Sequence, residues 1–145
     1  MVQFTKEYKL IGEGSSPAET FNFTIENAGV TDAAESVNVD NMPTPTVGTV
    51  SYTKEDGATI GGNKKTVDVT LPAYKSVGVY TYTIKETAGT TAGVDYDTDS
   101  VTMKVTVVNG ETLGTFKVDS VSFTKMKTNL QMMKLHLITL IQLIN

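Results

Sequence analysis

The 145-residue chain contains no cysteine, no tryptophan and no arginine. Without cysteine no disulfide can brace the fold, and a thiolate metal site is ruled out. Without arginine all 12 basic side chains are lysine, set against 16 acidic ones for a formal net charge of -4. That balance, with no interleaved basic and aromatic patch, argues against a nucleic-acid partner. The one histidine, His136, belongs to no Ser/His/Asp set and is assigned no role, and no phosphate-binding glycine loop is present. The longest nearly apolar run, Leu135 to Ile144, is about half the ~20 residues that a membrane-spanning helix requires. No cofactor, no metal and no enzymatic turnover are expected from this inventory.

What remains suits a soluble globular domain: 39% of residues are hydrophobic and 19% charged. Thr and Val are abundant, and both favour a pleated, half-buried surface. Strand patterns run over Val2 to Leu10, Thr20 to Glu26, Val47 to Thr53, Lys65 to Leu71, Val77 to Glu86, Val101 to Val107 and Leu113 to Thr124. Turn signals lie between them at Gly12 to Pro17, Asp56-Gly57, Gly61-Gly62-Asn63 and Asn109-Gly110, the last read as a hairpin turn. Gly29 to Thr46, broken by Pro43 and Pro45, reads as a long connection. About seven strands with no helix before Lys125 predict an all-β, immunoglobulin-like β-sandwich.

Two charges break the apolar faces of these strands. Alternation puts Lys6 in line with Phe4, Tyr8 and Leu10, and Glu86 in line with Tyr80, Tyr82 and Ile84. A lone buried ammonium or carboxylate is costly, so a pair aimed into one core needs a chemical reason. A self-made covalent cross-link supplies one. The bland alternative is an ordinary, partly exposed ion pair at a sheet edge, worth at most ~1 kcal/mol.

The tail departs from the rest. No acidic residue occurs from Ser120 to Asn145, and three of the six methionines fall between Met126 and Met133. One reading is an amphipathic helix lying on a membrane or on the sandwich. The other is a frameshift. Reverse-translated and shifted to the third base of each codon, the segment from Lys125 can encode NEDKSADDEIAFNNTYTAY followed by a stop. Methionine codons end in G, which forces Glu ahead of a Lys codon and Asp ahead of a second Met codon. The expected division is therefore a sandwich domain over 1–124, lacking its closing strand, and an aberrant apolar tail over 125–145.

The run Gly78-Val79-Tyr80-Thr81-Tyr82-Thr83-Ile84-Lys85-Glu86, then Gly93-Val94-Asp95-Tyr96-Asp97 and an alternating Val strand, resembles the isopeptide-linkage domain of Gram-positive, streptococcal-type major pilins and surface adhesins. Phe4-Thr5-Lys6 and Ala18-Glu19-Thr20-Phe21-Asn22-Phe23-Thr24-Ile25 are similar to that family's opening strands. The likeness covers roughly Val2 to Thr124. It implies a CnaB-type sandwich in which a Lys of the first strand is joined to an Asn of the last, with a Glu between them. Lys6 matches the donor and Glu86 the catalytic Glu. The acceptor has no match: the family's Phe-x-Asn-x-Tyr segment is absent, and Asn129 and Asn145 lack that context. The shifted frame would supply AFNNTY in its place.

Burial would lower the Lys pKa and raise that of Glu, so that a neutral Glu86 polarises the Asn carbonyl and shuttles protons while ammonia leaves. The resemblance implies a structural fimbrial subunit at the cell surface or cell wall, partnered by neighbouring domains or subunits of the same fibre. The chain shows no apolar leader, and Leu71-Pro72-Ala73-Tyr74 lacks the Thr-Gly of a sorting signal, so signal and anchor are expected elsewhere. The rival reading is an adhesin module binding a carbohydrate or other host ligand through the Gly29–Thr46 loop, with no cross-link. Tyr80 and Tyr82 are expected in the core, and Asp95, Asp97 and Asp99 in a solvated turn, since the spacing lacks the glycine and terminal Glu of a calcium loop.

Overall fold

The computed structural model describes residues 2–10, 16–54, 62–126 and 136–139. The described residues form ten strands: β1 (Val2–Tyr8), β2 (Glu19–Phe21), β3 (Phe23–Thr31), β4 (Thr46–Val47), β5 (Val50–Tyr52), β6 (Asn63–Thr70), β7 (Gly78–Glu86), β8 (Ser100–Asn109), β9 (Phe116–Met126) and β10 (His136–Thr139). One four-stranded sheet has the order β10-β1-β6-β4, the other β3-β7-β8-β9, and β2 pairs with β5. Every pairing is antiparallel. The fold is an all-β, immunoglobulin-like sandwich.

Its core follows from alternation along β7 and β8 and the middle of β9. Tyr80, Tyr82, Ile84, Val101, Met103, Val105 and Val121 are buried, while their neighbours along each strand are not. Phe4 of β1 meets the ring of Phe23 edge-on at 5.2 Å and lies 6.1 Å from that of Phe123, so it ties one sheet to the other. Large side chains of this kind stabilise by roughly 1.5–3 kcal/mol each on burial.

The strand count exceeds the sequence expectation because two predicted strands divide midway between partners and β10 adds a strand in the tail. Thr20 to Glu26 divides at Asn22: β2 pairs with β5, whereas β3 pairs with β7. Val47 to Thr53 divides likewise, with β4 on β6 and β5 on β2. Side-chain alternation runs unbroken through Asn22, so periodicity carried no sign of that break, whereas it slips by one residue at Gly48-Thr49, between Val47 and Val50. The connection expected over Gly29 to Thr46 is shorter at its start, since β3 runs to Thr31 with a bulge between Asn27 and Gly29.

The β8–β9 hairpin is closed by residues 110–115, not by a two-residue turn at Asn109-Gly110. The Gly110 amide donates to Thr115 O (2.7 Å) and the Thr115 amide to Thr112 O (3.0 Å). Gly114, at φ 83°, makes the left-handed step that closes this loop. The turn signals at Gly12 and at Asp56-Gly57 lie outside the described residues, as does most of the tail. Of the tail, residues 136–139 run as a strand along the edge of β1 opposite β6.

Candidate functional site

β1 and β7 belong to different sheets, and their inward faces carry Lys6 and Glu86 to the same place. Both side chains are 0% exposed, and Lys6 Nζ forms an ion pair with Glu86 Oε1. The amine also stands 4.2 Å from the centre of the Phe21 ring. The alternation that flagged the two residues therefore brings them into contact inside the sandwich.

Glu86 ends β7, just past the last pairing with β8, Lys85 with Ser100. Residues 87–99 return over it, and the Asp97 backbone amide donates to Glu86 Oε2 at 2.6 Å. One carboxylate oxygen thus faces the amine and the other accepts from the backbone. The Asp97 side chain fixes this return: Oδ1 accepts from the Asp99 amide (2.9 Å), an Asx-type turn, and Oδ2 accepts from Lys125 Nζ (2.9 Å). Asp99 Oδ2 lies 3.7 Å from the same ammonium.

This corrects the expected solvated turn. Asp95 is exposed, but Asp97 and Asp99 are 2% and 1% exposed, because Lys125 supplies a counter-charge from β9. Lys125 was missed as a site residue. Its signal was present, since Val121, Phe123 and Lys125 share parity and the first two are buried. Among the described residues no group of three or more His, Asp or Glu side chains is placed to hold a metal ion.

Removal from water holds the Lys6 ammonium down to about 8, against an ordinary value of 10.5. Glu86 and Asp97 oppose that shift through their negative charge, and Lys125 adds to it. Asn129 and Asn145 lie outside the described residues. In the backbone register Lys6 is opposite Lys65 on β6 and Ile138 on β10, neither of which has a carboxamide.

A sequence model of the FctA family, described as the Spy0128-like isopeptide containing domain, matches residues 2–131. The chain belongs to this family. It is a Gram-positive pilin isopeptide domain, and the FctA match takes in every residue of the Lys6–Glu86–Asp97–Lys125 cluster. No curated protein and no solved structure matches it.

Tyr80 and Tyr82 of this FctA-family domain are core residues, as expected. The Tyr82 hydroxyl donates to Pro43 O (2.7 Å) and lies 2.9 Å from that of Tyr74, and the Tyr80 hydroxyl donates to Ser76 O (2.8 Å). Beside them the loop after β3 borders a hollow of about 580 Å³ lined by Ser36, Asn41, Pro43, Lys75 and Tyr80. Its one aromatic, Tyr80, is 1% exposed and offers no face on which a sugar could stack. No helix of the described residues is long and apolar enough to cross a membrane.

Proposed function

We propose that this domain is a load-bearing unit of a surface fibre, welded by one Lys–Asn isopeptide bond made by its own side chains. Lys6 is the amine donor and Glu86 the proton shuttle. The observation that carries this reading is the contact between the two groups in a water-free interior. A proton moved from Nζ to Oε1 turns the ion pair into a neutral amine and a neutral acid, and burial favours the uncharged forms.

The chemistry then balances without a cofactor. The Lys6 amine attacks the carboxamide carbon of the acceptor, and Glu86 donates a hydrogen bond to the carbonyl oxygen. The tetrahedral adduct passes its amine proton through Glu86 to the departing nitrogen. An amide forms, the carboxamide C–N bond breaks, and ammonia leaves. Folding holds the reactants together, so the step proceeds at high effective molarity. It occurs once per molecule.

The acceptor belongs to the segment that the shifted frame encodes, in the run AFNNTY. The residues after Lys125 as they stand are the product of a frameshift, and this chain remains unlinked. Its partners in the fibre are neighbouring domains or subunits of the same kind, outside the cell. An amide between first and last strands resists both reduction and pulling on the termini.

Intact-protein mass spectrometry tests the reading. Residues 1–125 continued by the shifted-frame sequence should weigh one ammonia less than the sum of their residues, and Lys6→Met or Glu86→Gln should restore the full mass. The chain as written should keep its full mass. A folded, frame-corrected protein at full mass would overturn the assignment.

A further inference from the structure

Glu86 can serve both halves of this reaction only if its carboxyl group is held in one orientation. A free carboxyl rotates about its last torsion, which is broad, and presents either oxygen to the amine. Here the two oxygens are differentiated: Oε1 faces Lys6 and Oε2 accepts the Asp97 amide at 2.6 Å. With Oε2 occupied as an acceptor, a proton taken up by Glu86 resides on Oε1, the oxygen beside the reacting nitrogen. The Asp97 amide is itself placed by the Asp97 side chain, which grips the Asp99 amide with one oxygen and Lys125 with the other.

We propose that Asp97, clamped by Lys125, is a positioning residue for isopeptide formation: it fixes the backbone donor that orients Glu86 toward Lys6. The inference rests on the roles given above to Lys6 and Glu86. Neither Asp97 nor Lys125 touches the bond that forms. Their contribution is to keep residues 95–99 over the end of β7, so that the amide at 97 meets Oε2. Two buried carboxylates with one ammonium make sense in these terms. Asp97 and Asp99 reach Lys125 from the loop ahead of β8, and Lys125 reaches them from β9, so the clamp joins two segments beside Glu86.

The charged groups that act on Lys6 are Glu86 from β7, Asp97 from the loop ahead of β8 and Lys125 from β9; from β2 comes the uncharged Phe21 ring. Asp97 favours the charged amine and Lys125 disfavours it. Deleting one or the other should therefore move the pH dependence of the reaction in opposite directions, while both deletions release Glu86 and slow it.

The test uses the frame-corrected protein, with loss of ammonia followed by intact mass. Asp97→Ala and Lys125→Met should each lengthen the half-time at least about tenfold, and Lys125→Arg should restore most of the rate. The midpoint of rate against pH should lie higher for Lys125→Met than for Asp97→Ala. Variants that link as fast as the parent, or slow variants with coincident midpoints, overturn the proposal. A parent that never loses ammonia speaks instead against the Lys6–Glu86 reading. Should a variant fail to fold, amide exchange in the chain as written decides. Glu86→Ala should speed exchange at the Asp97 amide at least about tenfold more than at β8 amides, and an equal effect at both sinks the idea.

Discussion

Lys6 on β1 and Glu86 at the end of β7 form an ion pair with neither side chain reaching water, and it bridges the two four-stranded sheets. Such a pair gains its attraction in a poorly screened interior but loses the hydration of both charges. In a protein that is never cross-linked it is therefore a poor stabiliser, though dangerous to break by halves. Four consequences can be measured.

Removing one partner of the pair strands the other. In the chain as written, Glu86→Gln or Lys6→Met should each cost roughly 3–5 kcal/mol, because an uncompensated buried charge remains. The double variant Lys6→Met with Glu86→Gln should be less destabilised than either single one. Urea titrations of the four proteins check this, and additive effects would show that the two groups do not interact.

The pH dependence has a definite sign. Lys6 titrates near 8 when folded and near 10.5 when unfolded, so between those values the unfolded chain holds more protons. Stability of the unlinked domain should therefore rise across that window, by on the order of 3 kcal/mol relative to Lys6→Met. Burial raises the pKa values of Tyr74 and Tyr82, which pulls the other way above pH 10, where unfolded tyrosines ionise first. Subtracting the Lys6→Met curve removes that contribution. A difference curve flat from pH 8 to 10.5 would contradict the assignment.

Phe21 keeps water from the amine. Its ring stands 4.2 Å from Nζ and packs edge-on against Tyr8 at 5.0 Å. Phe21→Ala should cost roughly 3–5 kcal/mol and let the Lys6 pKa climb back toward 10.5. Nitrogen-15 NMR of the lysine side chains in the chain as written reads that shift directly. In the frame-corrected protein the same change should slow loss of ammonia at neutral pH.

Tyr82 ties the loop after β3 to the core through Pro43 O and the Tyr74 hydroxyl. Tyr82→Phe removes both hydrogen bonds with little change in volume, and should cost roughly 1–3 kcal/mol. Thermal melts should show the loss. Amide exchange should show it concentrated at residues 32–45, leaving the Lys6–Glu86 pair unaffected.

Much of the site was legible before any coordinates. Parity alone placed Lys6 and Glu86 on buried faces, and the same rule applied to Val121 and Phe123 would have added Lys125. The Asp95, Asp97, Asp99 turn could not be judged in this way, because a loop has no fixed period and its burial depends on what folds over it. The switch at Asn22 was equally hidden, since a strand can change neighbours without changing which side chains face in, whereas at Gly48-Thr49 the inward parity slips.

The amino-acid order by itself determined the all-β class and the inward facing of two opposite charges. These are local properties, set by residue type and a period of two. Only the tertiary structure decided that Lys6 meets Glu86, that the Asp97 amide takes the second Glu86 oxygen, and that Lys125 holds Asp97. Those contacts join residues far apart in the chain, and they exist because two sheets pack face to face and a loop closes over their edge.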